Sequence, residues 1–387
     1  MPPYLAGRDA EKKEFLRLIS QPKPILENMV LTGLRGVGKT VLLDTFKPEA
    51  INQSWLWVGA DLSESASITE ENLVIRLLTD LSVITSNLTV SKSQVSHIGF
   101  NPLHEVVETK LGYDTLMALY GSVPGLVLDK LKFVLEFVWN CLAPLNIQGV
   151  IFAYDEAQNL ADQSAKEQYP LGVLLDTFQS IQRKAIPFML ILTGLPTLFP
   201  KLVDARTFSE RMFRVVTLGR LDATNSREAI LKPIEKHSLK LREESVKLII
   251  QHSGGYPYFI QFICREVYDA FLPKIALGEN PAVPLDEITR KLDSDFFAGR
   301  WHRVTDRQRE LLSTIAKLEN CEEEFTVQEV VELARQTMRK PFSSSHINQM
   351  LSSLGDAGLI YKNRHGKYAF AVPLLGQFIK RVTGSSL

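Results

Sequence analysis

The chain has 387 residues, 45% of them apolar and 23% charged, with 44 basic and 44 acidic side chains. This length suits two or three domains, and a formal net charge of zero excludes a protein that coats a polyanion by bulk charge, though not one with a local basic patch. Cys141, Cys264 and Cys321 lie far apart without metal-ligand spacing, which fits a reducing compartment.

The first residues, MPPYLAGRDAEKKE, contain no apolar run of signal-peptide length. Asp9 is a good N-cap ahead of a helix reaching Ile19. Met29-Val30-Leu31-Thr32 then reads as a short buried strand, and Val41 to Phe46 as a helix stopping near Pro48. Between them stands Gly33-Leu34-Arg35-Gly36-Val37-Gly38-Lys39-Thr40, which fits the pattern G-x-x-x-x-G-K-[ST]. A strand, a glycine loop and a helix start bring backbone N–H groups, those of Gly33 to Val41, around one anion. In this arrangement Lys39 reaches β and γ phosphates, and the Thr40 hydroxyl is placed on Mg²⁺.

A strand at 55–58 and a helix from Thr69 to Ser82 follow. Beyond them the polar run TSNLTVSKSQVSHIGFN leads into apolar material from Leu103 to Ala143. Structureless loops of this length are uncommon, so residues 86–146 read as a helical insertion, either a passive layer or a place where a protein partner is read. The apolar stretch VPGLVLDKLKFVLEFVWNCLAPL carries Asp129, Lys130, Lys132 and Glu136, too many charges to span a bilayer. A cytoplasmic protein without a membrane partner is the expectation.

Gly149 to Tyr154 is an apolar run ending in Asp155-Glu156, as a buried parallel strand would be. The C-terminal end of such a strand is where open α/β sheets bind ligands. Asp155 is predicted to hold Mg²⁺ and Glu156 to deprotonate an attacking water. The strand at 187–193 ends in Thr193, which either bonds the γ-phosphate or the water, or caps the strand. No N-K-x-D guanine-reading sequence is present. A further strand at 214–218 follows Ser209 to Arg214.

From 221 to 300 the apolar spacing is helical: Asn225–Lys232, Glu243–His252 and Phe259–Phe271, with Gly254-Gly255-Tyr256-Pro257-Tyr258 between the last two. Thr305-x-x-Gln308 and Thr326-x-x-Glu329 are capping boxes opening two helices, and Ser345–Leu354 is a third, stopped by Gly355. Two strands, 359–363 and 367–372, flank Arg364-His365-Gly366. Three helices and a hairpin make a winged helix. Its third helix offers Ser345, His346, Asn348 and Gln349 to base edges, and its wing offers Lys362, Arg364, His365 and Lys367 to phosphates. Residues 301–387 hold twelve Lys/Arg against nine Asp/Glu, a mild excess, and Glu322-Glu323-Glu324 opposes double-stranded DNA.

Together these residues resemble the AAA+ ATPases, from Leu5 to about Lys380, in the branch that includes initiator-like and STAND switch ATPases. The most specific pieces are the glycine loop and Asp155-Glu156. The resemblance implies an α/β core at 1–220 with a five-stranded parallel sheet, a helical lid at 221–300 and a winged-helix domain at 301–387. It implies ATP and Mg²⁺ as ligands, hydrolysis of ATP, and a nucleotide-dependent homo-oligomer. Leu5-Ala6-Gly7-Arg8-Asp9-Ala10-Glu11 is similar to the family's segment near the adenine, with Gly7 and Arg8 as contacts. Thr193 stands at the sensor position, which is more often Asn. Arg211 matches the arginine finger, with Arg206 and Arg214 as substitutes, and Pro257 matches a lid proline that touches nucleotide. Arg265 is the nearby candidate for a lid arginine. Two outputs remain open: DNA binding or remodelling, and protein signalling with the winged helix as a protein-binding or autoinhibitory module.

Overall fold

The computed structural model describes residues 4–20, 27–63, 65, 68–98, 101–235, 239–277, 281–364 and 366–384. In chain order the first half comprises α1 (Asp9–Ile19), β1 (Asn28–Thr32), α2 (Lys39–Asn52), β2 (Trp55–Val58), α3 (Glu70–Thr85), β3 (Thr89–Ile98), β4 (Asn101–Lys110), α4 (Tyr113–Ser122), α5 (Val127–Leu142), β5 (Gly149–Tyr154), α6 (Pro170–Arg183), β6 (Phe188–Gly194), α7 (Leu198–Ala205), α8 (Ser209–Met212) and β7 (Phe213–Thr217). Five of these strands form one all-parallel sheet in the order β2-β5-β6-β1-β7. β1, β5 and β6 are buried along their whole length, which is why they read as unbroken apolar runs.

Successive side chains of a strand face opposite ways. Val30, Phe152 and Leu190 therefore join a cluster with α3, α5 and α6, while Met29, Ile151 and Ile191 join Phe15 of α1 and Phe46 of α2 on the other face. Phe15 and Phe46 stack with centroids 4.2 Å apart. Buried Asn28 fixes the register of β1 beside β6: its Oδ1 accepts from the Leu190 amide at 2.7 Å and from Gln182 at 2.8 Å.

Several local expectations need correction. Asp9 is the first helical residue of α1, and Arg8 occupies the cap position without a side-chain bond to the helix's first amides. α2 runs through Pro48 to Asn52, because Leu42, Leu43, Phe46 and Ala50 are buried on both sides of the proline. Residues 103–110, expected as helix, are strand: β3 and β4 pair antiparallel from Thr89↔Lys110 to Ile98↔Asn101. Their Val, Thr and Ile content favours an extended chain. Helix begins only at Tyr113.

The second half holds α9 (Ala223–Leu231), α10 (Glu243–Ser253), α11 (Pro257–Ala276), α12 (Leu285–Leu292), a π-helical turn (Asp293–Ala298), α13 (Gly299–Trp301), α14 (Asp306–Ala316), β8 (Phe325–Thr326), α15 (Val327–Thr337), α16 (Ser344–Asp356), β9 (Ile360–Arg364), β10 (Lys367–Phe370) and α17 (Leu375–Gly384). Both capping boxes are formed. α16 passes through Gly355, and the chain turns instead at Gly358, with φ +68°. β8, β10 and β9 form a small antiparallel sheet. One apolar cluster runs continuously from Leu221 to Ile379, so the helices after β7 and the C-terminal segment share a core.

Candidate functional site

The loop between β1 and α2 sits at the C-terminal edge of the sheet. Gly38 caps α2 from the left-handed region at φ +91°, which directs the first helical amides at one point. The Lys39 ammonium donates to the carbonyls of Gly33 at 2.9 Å and Leu34 at 3.0 Å. Burial lowers its pKa below the usual 10.5 and Arg35 adds to the effect, while Asp155 and Glu156 oppose it.

Asp155, 4% exposed, is the hub of the site. One carboxylate oxygen accepts from the Thr40 hydroxyl. The other accepts from the Thr193 hydroxyl and from the Glu156 amide, the latter at 2.8 Å. Thr193 is fully buried and turned onto Asp155, away from the cavity lining. Its hydroxyl positions a carboxylate. Glu156 has φ +50°, a strained conformation for a residue with a side chain. Its carboxylate accepts from the Gln158 amide group, whose own oxygen accepts from Leu195 N at 3.2 Å.

A cavity of about 650 Å³ opens above this loop, within the size range of small-ligand sites. Arg35 to Val41 and Glu156 line one end, and Tyr4, Leu5, Ala6, Leu221 and Ala229 give it an apolar end. Pro257, Tyr258, Gln261, Phe296 and Arg300 close it from the C-terminal side. Arg8 also lines it, but its guanidinium is bonded to the carbonyls of Val37 at 3.0 Å and Gly219 at 2.7 Å, so it braces the loop. Gly7 lies against Asn225 and outside the lining, as do Gly33 and Leu34.

Of the three candidate arginines around the start of β7, Arg206 forms a forked pair with Asp176 and Arg214 pairs with Glu14 at 2.8 Å. Arg211 is exposed and makes no ion pair among the described residues. Arg265 is turned outward onto Glu266 and the Phe262 ring, away from the cavity. Sequence reasoning missed Gln158, Gln261, Phe296 and Arg300, which fall outside any motif. Tyr258 ends the Gly-Gly-Tyr-Pro-Tyr stretch, where only Pro257 is assigned a role from sequence.

In the C-terminal segment Ser345, His346, Asn348 and Gln349 are exposed on α16, while Ile347, Met350 and Leu351 are buried. Lys362 is exposed and Lys367 half-buried on the hairpin. The Arg364 side chain and His365 lie outside the described residues. Asn363 donates to Glu324, tying the hairpin to the acidic run.

The architecture matches a Walker-type ATPase of Pyrococcus abyssi with a TM-score of 0.59 at 16% identity, over 97% of this chain and 96% of that one. It matches the ORC2 protein of Aeropyrum pernix, solved as ADPNP–ADP complexes, with a TM-score of 0.55 at 14% identity, over 100% and 96%. The chain has the fold of the AAA+ P-loop ATPases. Residues 294–379 match a family described as a domain of unknown function (DUF8462). A search of curated proteins finds no match. No described helix is long and apolar enough to cross a membrane.

Proposed function

We propose that the chain binds and hydrolyses ATP and uses the nucleotide state as a conformational switch. The observation that carries this is the contact of Thr40 with Asp155 beneath the glycine loop, at the floor of a cavity with one apolar and one cationic end. The adenine is read at the apolar end, by Leu5, Ala6, Leu221 and Ala229. The phosphates lie on the amides of Gly36 to Thr40 and on Lys39, which leaves its two carbonyl partners to reach them.

Thr40 and Asp155 bring a hydroxyl and a carboxylate oxygen together, the hard donors that Mg²⁺ prefers. They would hold that ion, which supplies charge neutralisation on the phosphate oxygens. Thr193 and the Glu156 amide keep the Asp155 carboxylate in one orientation. Glu156 takes the proton from a water whose oxygen attacks the γ-phosphorus, and ADP leaves. Gln158 holds the Glu156 carboxylate at the rim. Arg211, without an ion-pair partner among the described residues, is the arginine offered to a neighbouring subunit, which makes the active form a nucleotide-dependent oligomer.

On this reading residues 221–300 are the lid and 301–387 a winged helix, with DNA as its target. The exposed polar face of α16 beside Lys362 and Lys367 supports that target. A second reading, an internal latch, is favoured by a different observation. The Arg35 amide donates to the Ala371 carbonyl at 3.4 Å, so the C-terminal segment rests on the phosphate loop.

Calorimetric titration with magnesium ATP and steady-state phosphate release test the proposal. Glu156→Gln should keep binding and lose turnover by about 10²–10⁴-fold. Unchanged phosphate release in that variant removes Glu156 as the base. An absence of binding heat in the native chain removes the whole reading.

A further inference from the structure

Arg300 reaches the cavity from a segment that no nucleotide-binding pattern covers. It follows the π-helical turn Asp293–Ala298, inside the matched residues 294–379. A π turn carries an extra residue relative to an α-helix, re-aims the side chains after it, and recurs at functional sites. This one is fixed in place. Asp293 is forked by Arg381 at 2.9 and 2.5 Å, and Phe297 stacks on Phe378 at 5.0 Å. The Arg300 guanidinium lies 4.3 Å above the Phe296 ring and donates to the Phe296 carbonyl.

Arg300 and Arg35 line the 650 Å³ cavity and also a neighbouring cavity of about 480 Å³, whose lining includes Asp295, Asp356 and Gly358. The two guanidiniums therefore stand at the neck between the phosphate loop and the C-terminal segment. Arg300 is half-buried, and the charged or polar side chains acting on it are Arg35, the Tyr258 phenol and Arg303, none of them a carboxylate. The Nε of Arg35 is buried without a hydrogen-bond partner among the described residues. Around the larger cavity Arg35, Lys39 and Arg300 face a single acid, Glu156. Half-buried like charges held close together are costly. An anion between them would satisfy both.

We propose that Arg300, together with Arg35, grips the phosphate tail of the bound nucleotide and so ties the segment 294–379 to the occupied loop. This rests on the nucleotide-binding reading above. Arginine suits the task because its planar fork meets two phosphate oxygens at once. Nucleotide occupancy then controls how firmly the C-terminal segment is held.

The test uses the full chain and magnesium ATP. Arg300→Ala should weaken ATP binding about 10- to 100-fold, as loss of a charge-assisted bond does. Arg300→Lys, which keeps the charge but not the fork, should recover part of the loss. Arg339→Ala, an exposed arginine of the same segment, should bind like the native chain. At saturating ATP, tryptic cleavage after residue 294 should slow in the native chain and not in Arg300→Ala. Native affinity in Arg300→Ala, or protection that survives the substitution, overturns the inference while leaving the nucleotide site standing. A native chain that binds no ATP overturns both.

Discussion

The amide of Tyr258 donates to the carbonyl of Gly36 at 3.0 Å, joining the start of α11 to the middle of the phosphate loop. Gly36 has φ +79°, and a Cβ there would stand 2.9 Å from the Cβ of Tyr258. Gly36→Ala therefore meets both backbone strain and a collision, together on the order of 1–3 kcal/mol. Gly38 has φ +91° with open space around it, so Gly38→Ala meets strain alone. Thermal melting without nucleotide should fall further for Gly36→Ala than for Gly38→Ala. Equal losses would show that α11 does not rest on the loop.

The surroundings of Lys39 lower its pKa below 10.5, chiefly by burial. The sign follows from linkage. Below the lowered folded value the folded chain carries the cost of a buried ammonium, and the cost fades as pH rises from there to 10.5. Without nucleotide, Lys39→Met should thus be more stable than the native chain near neutral pH, and the gap should narrow with rising pH. With ATP at about 100 times its dissociation constant the native chain gains about 2.7 kcal/mol, and Lys39→Met gains nothing. Urea denaturation across pH, with and without ATP, measures both. A less stable Lys39→Met would mean that its two carbonyl bonds outweigh burial.

Thr193→Val removes one of the donors to Asp155 while keeping the volume of a fully buried side chain. A carboxylate that loses a buried partner costs about 1–3 kcal/mol. ATP affinity at saturating magnesium should change little, but the magnesium concentration needed to reach it should rise. Titrating magnesium at fixed ATP decides the matter. An unchanged magnesium midpoint would assign Thr193 to strand capping alone.

The legibility of this molecule follows the range of the interactions. The five parallel strands were readable because each is buried along its length or at an edge, and apolar runs bounded by glycine or acid mark that burial. The capping boxes at Thr305 and Thr326 were readable because they are local bonds. The pairing of Thr40 with Asp155 spans 115 positions, and only the motif at each end betrayed it. Arg300 had no such marker. Its place depends on a π turn and on aromatic stacking against α17, which no spacing in the sequence announces. The ribbon β3–β4 is not legible in the sequence because its alternation is weak and Leu103 to Lys110 adjoins helical chain.

Arg211 differs from its neighbours in making no ion pair among the described residues, even with the adjoining Glu210, whereas Arg206 and Arg214 are held by Asp176 and Glu14. An arginine acting on a neighbour's phosphate is worth about 10³–10⁵ in turnover. Arg211→Ala should retain ATP affinity and lose phosphate release by a factor of that order. Mixing it with Glu156→Gln should restore some turnover, because each mixed interface can pair an intact base with an intact arginine. Failure of complementation at concentrations where the chains associate would return Arg211 to the surface.

The hairpin and α16 give a graded prediction for DNA. Lys362 and Lys367 flank the turn at Gly366, and phosphate contacts of this kind release counter-ions. Replacing both by Ala should flatten the plot of log affinity against log salt by about 2, whatever the DNA sequence. Asn348→Ala and Gln349→Ala lie on the exposed face of the helix and should leave that slope unchanged while narrowing any preference between sequences. Fluorescence anisotropy over a salt series, with duplexes of differing sequence, separates the two effects. If the native chain with ATP binds no duplex at any salt, the exposed face of α16 is not a groove reader, and the contact of Arg35 with Ala371 becomes the stronger guide: a segment that latches the phosphate loop from within.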